Sequence, residues 1–392
     1  MKYNFNECPD RRPTESEKWL QYPEDVLPLW VADMDFVSPE PVIRALHERV
    51  DHGVFGYPRS RADLKELIVG RMQERYGWCI HAEDVLLIPG VIRGFNMACR
   101  AAGPDGEALV QTPIYPPMLC APGNAGLARR DNELPASDCS NEIDWADFEA
   151  ALRGDVRVFL LCNPHNPTGR VFREEELLRM GELCLKHDVI ICSDEIHCDL
   201  IYSGQTHIPI ASLSAELAAQ TITLMSPSKT YNIAGLDCSF AIIQNPELRR
   251  RFNRARAGLV GGVNIFGQAA AAAALKDGQE WLDQVLEVLE SNRDFLFEYV
   301  RREWPGVKMF LPEATYLAWL DCRGLHLENP HEFFLNRAKV AFNDGASFGK
   351  GGAGFVRVNF GCPRKTLEEA LARCTAALCE AGLEKHRASE QG

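Results

Sequence analysis

Short apolar runs alternate with helical patterns along most of this chain, and this alternation constrains the fold more than any other feature. Strands that alternate with helices form βαβ units and a mostly parallel sheet, which predicts an α/β fold. The carboxyl ends of such strands lie along one edge of the sheet, where open α/β folds bind their ligands. Polar clusters follow each run. The runs occupy residues 84–90, 108–113, 157–162, 188–193 and 221–225.

A lysine stands just beyond the last of these runs. Lys229 follows residues 221–225, with Ser226 and Ser228 between them. A lysine in this position can form a Schiff base with a carbonyl cofactor, and hydroxyl groups can bind a phosphate. Taken alone, a lysine after a Ser-Pro turn is more often a solvated loop residue. The polar clusters that follow the other strands reverse that preference, and together they predict a single shared site.

The run at residues 84–90 ends in a glycine, and a helical pattern follows from Val91 to about residue 102. The first turn of a helix has free backbone N–H groups, and the positive end of the helix dipole points the same way. This arrangement can bind an anion. An ordinary connection between a strand and a helix fits the same residues equally well.

Composition and charge exclude several classes of function. The 392 residues predict two domains by the usual size of domains, and a composition of 46% hydrophobic and 25% charged residues is ordinary for a soluble protein. A formal net charge of −13 disfavours nucleic acid and anionic membranes as partners. No apolar run is long enough to span a membrane. Residues 1–8 lack the apolar segment of a signal peptide, so we expect a cytoplasmic protein.

No pattern in the sequence predicts a metal site. The 14 cysteines form no Cys-x-x-Cys pair, and we expect reduced thiols in the core. Asp33 and Asp35 alternate along an extended segment, but no histidine lies close to them in sequence. Residues 349–354 match Gly-x-Gly-x-x-Gly but precede a strand and open no helix, so we expect a loop there.

The second half of the chain has a different pattern. Residues 252–274 form a helical, alanine-rich stretch, and apolar residues then recur at helical spacing up to residue 304. Residues 315–320 and 355–360 have the pattern of strands, and residues 367–381 that of a closing helix. We therefore expect a smaller α+β domain, joined to the first by the long helix.

Four motifs, in this order along the chain, carry a family resemblance. They are Asn163-Pro164-His165-Asn166-Pro167-Thr168-Gly169, Asp194-Glu195-Ile196-His197, Ser226-Pro227-Ser228-Lys229 and Arg357-Val358-Asn359. The chain resembles the fold type I pyridoxal 5′-phosphate enzymes of the class I/II aminotransferase superfamily. Residues 30–36, 53–57, 90–92, 229–236 and 359–364 are similar to the MalY/PatB subgroup of cystathionine β-lyases. The similarity covers nearly the whole chain.

The resemblance implies roles for individual residues. Lys229 matches the lysine that binds the cofactor covalently and then accepts the proton from the substrate Cα. Asp194 matches the carboxylate that pairs with the pyridinium nitrogen, and Asn166 the amide that binds the phenolic oxygen. Tyr115 matches the aromatic ring that stacks on the cofactor, and Lys229, Tyr115 and Asp194 form the catalytic set. Arg357 matches the arginine that grips the substrate α-carboxylate.

The remaining positions concern the phosphate, the neighbouring subunit and the substrate. Tyr57 matches a tyrosine that reaches the phosphate of the neighbouring subunit, which implies a homodimer with shared active sites. His197 stands where aspartate aminotransferases carry a tyrosine. The residues implied to bind the phosphate are Gly90, Val91, Ile92, Ser226 and Ser228, and His197 is implied to bind the cofactor as well. The residues implied to bind the substrate are Arg357, Ala32, Asn166 and Tyr57.

The resemblance also implies a division of the chain. Residues 1–48 would form an N-terminal arm and part of the small domain, residues 49–285 the large cofactor-binding domain, and residues 286–392 the C-terminal small domain. Two departures from the family stand out. Residues 234–237 offer no cation where the aminotransferases have a phosphate-binding arginine, and Leu20 replaces the subgroup's usual aspartate.

The activity that the resemblance implies is a pyridoxal-phosphate-dependent C–S lyase. It would eliminate a thiol from L-cystathionine, or from a related cysteine S-conjugate, and release homocysteine (or another thiol), pyruvate and ammonia. An aminotransferase, or another elimination or cyclisation on a non-sulfur amino acid, is the alternative, because this fold hosts many reactions. A protein with a spent active site would have lost Lys229, Asp194 or Arg357, and all three are present.

Overall fold

The computed structural model describes residues 3–134 and 143–383. Its centre is a seven-stranded sheet with the order β2-β8-β7-β6-β5-β3-β4, in which β8 alone runs antiparallel to its neighbours. The strands of the described chain are β1 (Leu27–Pro28), β2 (Val85–Ile88), β3 (Glu107–Thr112), β4 (Ala128–Glu133), β5 (Val156–Cys162), β6 (Ile190–Asp194), β7 (Thr221–Met225), β8 (Ser239–Ile242), β9 (Lys308–Met309), β10 (Leu317–Asp321), β11 (Val340–Ala341), β12 (Asn343–Asp344) and β13 (Phe355–Asn359).

Helices cover both faces of the large sheet. They are α1 (Glu17–Leu20), α2 (Glu40–His52), α3 (Ala62–Tyr76), α4 (Val91–Ala102), α5 (Pro116–Ala125), α6 (Trp145–Ala151), α7 (Glu174–Lys186), α8 (Ala215–Gln220), α9 (Pro227–Thr230), α10 (Pro246–Arg256), α11 (Ile265–Asp277), α12 (Gln279–Glu303), α13 (Pro330–Phe333) and α14 (Arg364–Glu380). Val158 and Leu160 of β5 pack with one helical layer, and Phe159 and Leu161 with the other. Because successive side chains of a strand face opposite ways, a strand that is apolar throughout must be buried on both faces.

A second, smaller set of strands lies beyond the long helix α12. Its antiparallel sheet has the order β12-β13-β10-β9. Near the start of the chain, β1 pairs in parallel with β11, so residues from both ends of the sequence meet in this part of the molecule. The predicted architecture is confirmed: a mostly parallel sheet between helices, with a smaller α+β unit. The domain boundaries at residues 48/49 and 285/286 stay a prediction.

The structure corrects the prediction of one continuous helix over residues 252–274. Helix α10 ends at Arg256, and α11 begins at Ile265 behind the capping side chain of Asn264. Three glycines in the connection, Gly258, Gly261 and Gly262, disfavour helix and let the chain turn. The edge strand β4 was not predicted, because its sequence, Ala-Arg-Arg-Asp-Asn-Glu, is almost entirely polar.

Residues 349–354 open no helix: a turn follows the 3₁₀ segment Gly345–Phe348, as the sequence predicts. Across residues 3–134 and 143–383, no helix combines the length and apolarity that crossing a membrane demands.

Candidate active site

Three adjacent parallel strands bring the predicted polar clusters to one edge of the sheet. In register, Cys162 at the end of β5 lies beside Asp194 at the end of β6, and Asp194 lies beside Leu224 of β7. Asn166 follows β5, and Lys229 follows β7 on the short helix α9. The site therefore forms at the carboxyl edge of the sheet, where the alternating pattern predicted it.

Lys229 is held in an environment that favours its neutral amine. Its Nζ donates a hydrogen bond of 2.6 Å to the carbonyl oxygen of Ala32. Burial lowers the pKa of Lys229 to about 8, while the charge of Asp33 acts to raise it and that of Arg357 to lower it further. A lysine with a pKa near 8 is a competent nucleophile and base at ordinary pH.

Asp194 is a buried carboxylate that forms no ion pair within the residues that the structure describes. Burial raises the pKa of Asp194 to about 7, although a hydrogen bond from the backbone N–H of Ile196, 3.1 Å long, opposes the shift. The neighbouring Glu195 raises the pKa further, and Lys229 lowers it. Such a carboxylate gains from a cationic partner, since a bound positive charge would remove the cost of its ionisation.

Arg357 is buried on β13 and fixed from three sides. Its guanidinium donates to the side-chain oxygen of Asn166 at 2.8 Å, to the side-chain oxygen of Asn343 at 2.7 Å and to the carbonyl of Trp30 at 3.1 Å. Burial lowers the pKa of Arg357 to about 10. Its Nε is buried and has no hydrogen-bond partner within the described chain. A buried guanidinium with an open donor is suited to a carboxylate ligand.

Asn166 joins the two halves of the site. Because its Oδ1 accepts the hydrogen bond from Arg357, the NH₂ group of the same amide is left as the donor side. This orientation fits an acceptor oxygen on a ligand that lies between Asn166 and Lys229.

The anion-binding arrangement predicted at residues 90–92 is present in part. Gly90 caps α4 with φ 106°, a conformation that favours glycine, and the N–H groups of Val91 and Ile92 lie in the first helical turn. The N–H of Gly90 itself donates to the carbonyl of Ile88 at 3.0 Å. The N–H groups of Val91 and Ile92 precede the first hydrogen bond of the helix, from Gly94 to Gly90, and could bind an anion.

Ser226 has a structural role that the sequence did not indicate. Its hydroxyl caps α9 by accepting from the N–H of Ser228 at 3.1 Å, and it donates to the carbonyl of Cys238 at 2.9 Å. The donor hydrogen predicted for a phosphate is thus already used in this structure. Ser228 is buried next to Lys229 on α9.

Two further predicted site residues, Tyr115 and His197, have aromatic rings. Tyr115 stands at the N-cap of α5, where burial raises the pKa of its hydroxyl and the charges of Arg357 and Asp194 are felt. His197 is buried with its ring edge-on to Tyr316, and burial lowers the pKa of His197 to about 3. Its imidazole is therefore neutral, and its Nδ1 has no hydrogen-bond partner in the described residues.

Tyr57 does not join the others. It lies between α2 and α3 with a fully exposed side chain, beside a groove of about 340 Å³ that Arg59, Arg61 and Gln268 also line.

Three residues near the site were not predicted from the sequence. Asn343 orients Arg357 because the two residues are paired across β12 and β13. Tyr316 donates to the carbonyl of Ala32 at 2.9 Å, the same oxygen that Lys229 contacts. The guanidinium of Arg93 lies at the N-terminus of α4, 3.4 Å from Asp237, and supplies a cation where residues 234–237 have none. No local motif marks these residues, since each contact joins distant parts of the chain.

Asp33 and Asp35 are bound by cations of the chain, Arg11 and Lys18. In the part of the chain that the structure describes, no group of His, Cys, Asp and Glu side chains is arranged to hold a metal ion.

Comparison with known proteins identifies the family to which this fold and this candidate site belong. Residues 24–374 match the family described as aminotransferase class I and II, and the chain belongs to that family. It is 42% identical to cystathionine beta-lyase PatB of Bacillus subtilis over 386 residues, covering 96% of this chain and all of PatB.

Solved structures agree. The crystal structure of OvoB has a TM-score of 0.92 and 46% identity, covering 96% of this chain and 99% of OvoB. Cystalysin from Treponema denticola, whose crystal structure contains a pyridoxal 5′-phosphate cofactor, has a TM-score of 0.93 and 33% identity, covering 97% of this chain and all of cystalysin. The resemblance to fold type I enzymes and to the MalY/PatB subgroup is therefore confirmed.

Proposed function

We propose that this protein is a pyridoxal-phosphate-dependent carbon–sulfur lyase. The observation that carries the proposal is the meeting of Lys229, with its pKa lowered to about 8, with Asp194 and the Arg357–Asn166 pair at one edge of the sheet. The similarity to PatB, a named cystathionine beta-lyase that matches over its whole length, supports cystathionine or a related cysteine S-conjugate as the substrate.

The residues present fit pyridoxal phosphate. Asp194 is a buried carboxylate with no ion-pair partner among residues 3–134 and 143–383, which suits a protonated pyridine nitrogen. The NH₂ group of Asn166 faces away from Arg357 as a donor, which suits the phenolic oxygen. The first turn of α4, with Arg93 beside it, suits the phosphate, and the amine of Lys229 suits the aldehyde.

When bound, the cofactor would supply the electron sink that allows the Cα–H and Cβ–S bonds of the substrate to break. The chain's residues do the rest. Arg357 binds the substrate α-carboxylate, and its contacts to Asn166 and Asn343 fix the plane of the guanidinium. Lys229 accepts the proton from Cα as a neutral amine. One water is consumed overall: L-cystathionine and water give homocysteine, pyruvate and ammonia.

The test is a coupled assay on the purified holoenzyme. Incubation with L-cystathionine should release pyruvate and free thiol in equal amounts. Release of neither, with conversion of the cofactor to its amine form and recovery on adding a keto acid, would instead assign an aminotransferase. A protein with no visible absorption from bound cofactor would contradict the proposal.

Lys229→Ala and Lys365→Ala are matched variants for this assay. Lys365 is an exposed lysine at the start of α14 and is not one of the residues proposed for the site. We expect Lys229→Ala to abolish pyruvate release and the visible absorption of covalently bound cofactor, and Lys365→Ala to retain both.

We further propose a homodimer in which Tyr57 completes the site of the second copy. The segment between α2 and α3 exposes Val54, Phe55 and Tyr57 together, and Ile92 at the proposed phosphate site is exposed as well. Large apolar side chains clustered on a surface are typical of a protein interface. A second copy would cover both surfaces at once.

Mixed dimers test this sharing directly. Lys229→Ala and Tyr57→Ala homodimers should each be impaired at limiting cofactor. A one-to-one mixture, refolded together, should recover about a quarter of the wild-type activity, because half of the dimers then carry one intact site of two. Activity no greater than the mean of the two homodimers would refute a shared site.

We propose the cytoplasm as the compartment. The described cysteines are free and mostly buried, and burial raises the pKa of thiols such as Cys99, to about 12. Buried neutral thiols are unreactive and suit a reducing compartment. Cell fractionation checks this proposal.

A further inference from the structure

The carbonyl groups of residues 30–34 accept hydrogen bonds from both basic residues of the site, Lys229 and Arg357. The carbonyl of Trp30 accepts from Arg357, and the carbonyl of Ala32 accepts from Lys229. Side chains from other elements also donate hydrogen bonds to the carbonyls of residues 31–34. Asn359 donates to the carbonyls of Val31 and Asp33, Tyr316 to that of Ala32, and Asn232 to that of Met34. A shift of this segment would therefore move the partners of Lys229 and Arg357 together.

The N-terminal arm holds the same segment through four charged residues, Arg11, Lys18, Asp33 and Asp35, which we call the arm cluster. Lys18 Nζ lies 2.7 Å from Asp35, and both side chains are only 1% exposed. Arg11 lies 2.6 Å from Asp33 and 2.7 Å from Asp35. The cluster pairs two cations from residues 11–18 with two anions from residues 33–35, so its net charge is zero.

Such a cluster is not needed merely to pin an arm to a surface. Buried ion pairs lose most of their Coulomb attraction to desolvation, and apolar packing would hold the arm as well. What a charged cluster adds is a defined geometry, because each carboxylate oxygen has a fixed partner. Asp35 illustrates this: Lys18 takes one oxygen, while Arg11 and the indole N–H of Trp19 share the other.

We propose that the arm cluster is a positioning device for the active site: the N-terminal arm fixes residues 30–34 so that their carbonyls hold Lys229 and Arg357 in working geometry. This inference rests on the proposed function. It assigns positioning roles to Arg11 and Lys18, neither of which touches Lys229 or Arg357.

The arm cluster also affects the electrostatic potential at Lys229, and so the protonation of its amine. Of the charged groups that act on Lys229, Asp33 favours its protonated form most, with Arg357 opposing and Asp194 adding to it. Arg11 is the close ion-pair partner of Asp33. Without Arg11, more of the negative charge of Asp33 acts on the amine, and its protonated form becomes more stable.

Arg11→Met and Arg12→Met are matched variants for a test on the holoenzyme. Arg12 belongs to the same arm and donates to the carbonyls of Trp19 and Glu24, but it is not part of the arm cluster. For Arg11→Met we expect kcat/KM for L-cystathionine to fall about tenfold. We also expect the pH at which the visible absorption of bound cofactor changes to rise by about half a unit. Arg12→Met should leave both unchanged, and Arg11→Lys should recover part of the loss.

Lys18→Met provides a second measurement at the buried end of the cluster. We expect it to lower kcat/KM as Arg11→Met does, with the bound cofactor retained. Should Lys18→Met fail to fold, Arg11→Met still decides, because its side chain is partly exposed. If Arg11→Met matches Arg12→Met in kcat/KM and in the absorption titration, the arm is only a structural fastening and the inference is wrong. The absorption titration needs no turnover, so it is informative even if cystathionine is not the substrate.

Discussion

Asp194 offers the sharpest test of how the site is built, because its carboxylate is expected to destabilise the protein until the cofactor binds. Burial raises the pKa of Asp194 from 3.8 to about 7. A carboxyl whose pKa is higher in the folded than in the unfolded state stabilises the fold below the unfolded pKa. That stability is lost as the pH rises through the folded value. Ionising the buried group therefore costs stability at neutral and alkaline pH.

The magnitude follows from the two pKa values. The full shift of about three units corresponds to about 4 kcal/mol at pH 8, where both states are ionised. At pH 5 only part of the penalty is present, about 2 kcal/mol. Asn has the same shape, keeps an oxygen for the N–H of Ile196 and never ionises. We therefore expect cofactor-free Asp194→Asn to be more stable than the wild type, by a margin that grows by about 2 to 3 kcal/mol between pH 5 and pH 8.

Urea unfolding of the cofactor-free proteins at the two pH values measures this margin. Asp199→Asn is the control, since Asp199 is equally buried but bound by Arg71 at 2.8 Å and Arg75 at 3.0 Å. Although burial acts to raise the pKa of Asp199, these arginines lower it. Asp199→Asn should thus lose stability. A margin for Asp194→Asn that stays flat or shrinks with pH would refute the desolvation argument.

With pyridoxal phosphate bound, the order should reverse. The carboxylate then has a cationic partner, and Asn cannot pair with a protonated ring nitrogen. We expect Asp194→Asn to bind the cofactor more weakly and to lose lyase activity while gaining stability without cofactor. Such an exchange of stability for function is common at active sites.

Three further predictions concern other parts of the site. The rate at which the cofactor-free protein captures pyridoxal phosphate should rise with pH around 8, since only the neutral amine of Lys229 reacts; stopped-flow absorbance measures it, and a rate that is flat from pH 7 to 9 would contradict it. Arg93→Ala should weaken cofactor binding about tenfold in a fluorescence titration, while the exposed Arg254→Ala should not. Asn343→Ala should raise KM for the amino acid more than it lowers kcat, because it frees Arg357 to swing; a loss confined to kcat would count against that role.

The sequence predicted the part of the site that follows from local pattern. Helix α4 has the predicted limits, and Asn166, Asp194 and Lys229 lie at or just beyond the ends of strands that were recognised by their apolar runs. Parallel strands with short polar ends place their side chains at one edge, so proximity followed from topology alone. Roles for Tyr115 and Arg357 came from the family resemblance alone.

The sequence does not show which residues form hydrogen bonds and ion pairs between distant parts of the chain. Arg93 meets Asp237 across 144 positions, and nothing near either residue signals it. The hydroxyl of Ser226 was expected to face a phosphate, but capping α9 and binding Cys238 are competing uses of the same group. Strand β4 was missed because an edge strand facing solvent needs no apolar pattern.

The arm cluster is another set of contacts that the sequence alone did not reveal. Asp33 and Asp35 alternate in the sequence as metal ligands would, and only their three-dimensional partners show that Lys18 and Arg11 occupy them. The active site places a carboxyl group, Asp194, and two basic groups, Lys229 and Arg357, in an environment that disfavours their charged forms. Because burial disfavours the charged forms of these groups, contacts from other residues must fix their positions. Neutral, fully paired clusters around them, such as the arm cluster, supply the rigidity that the site itself cannot.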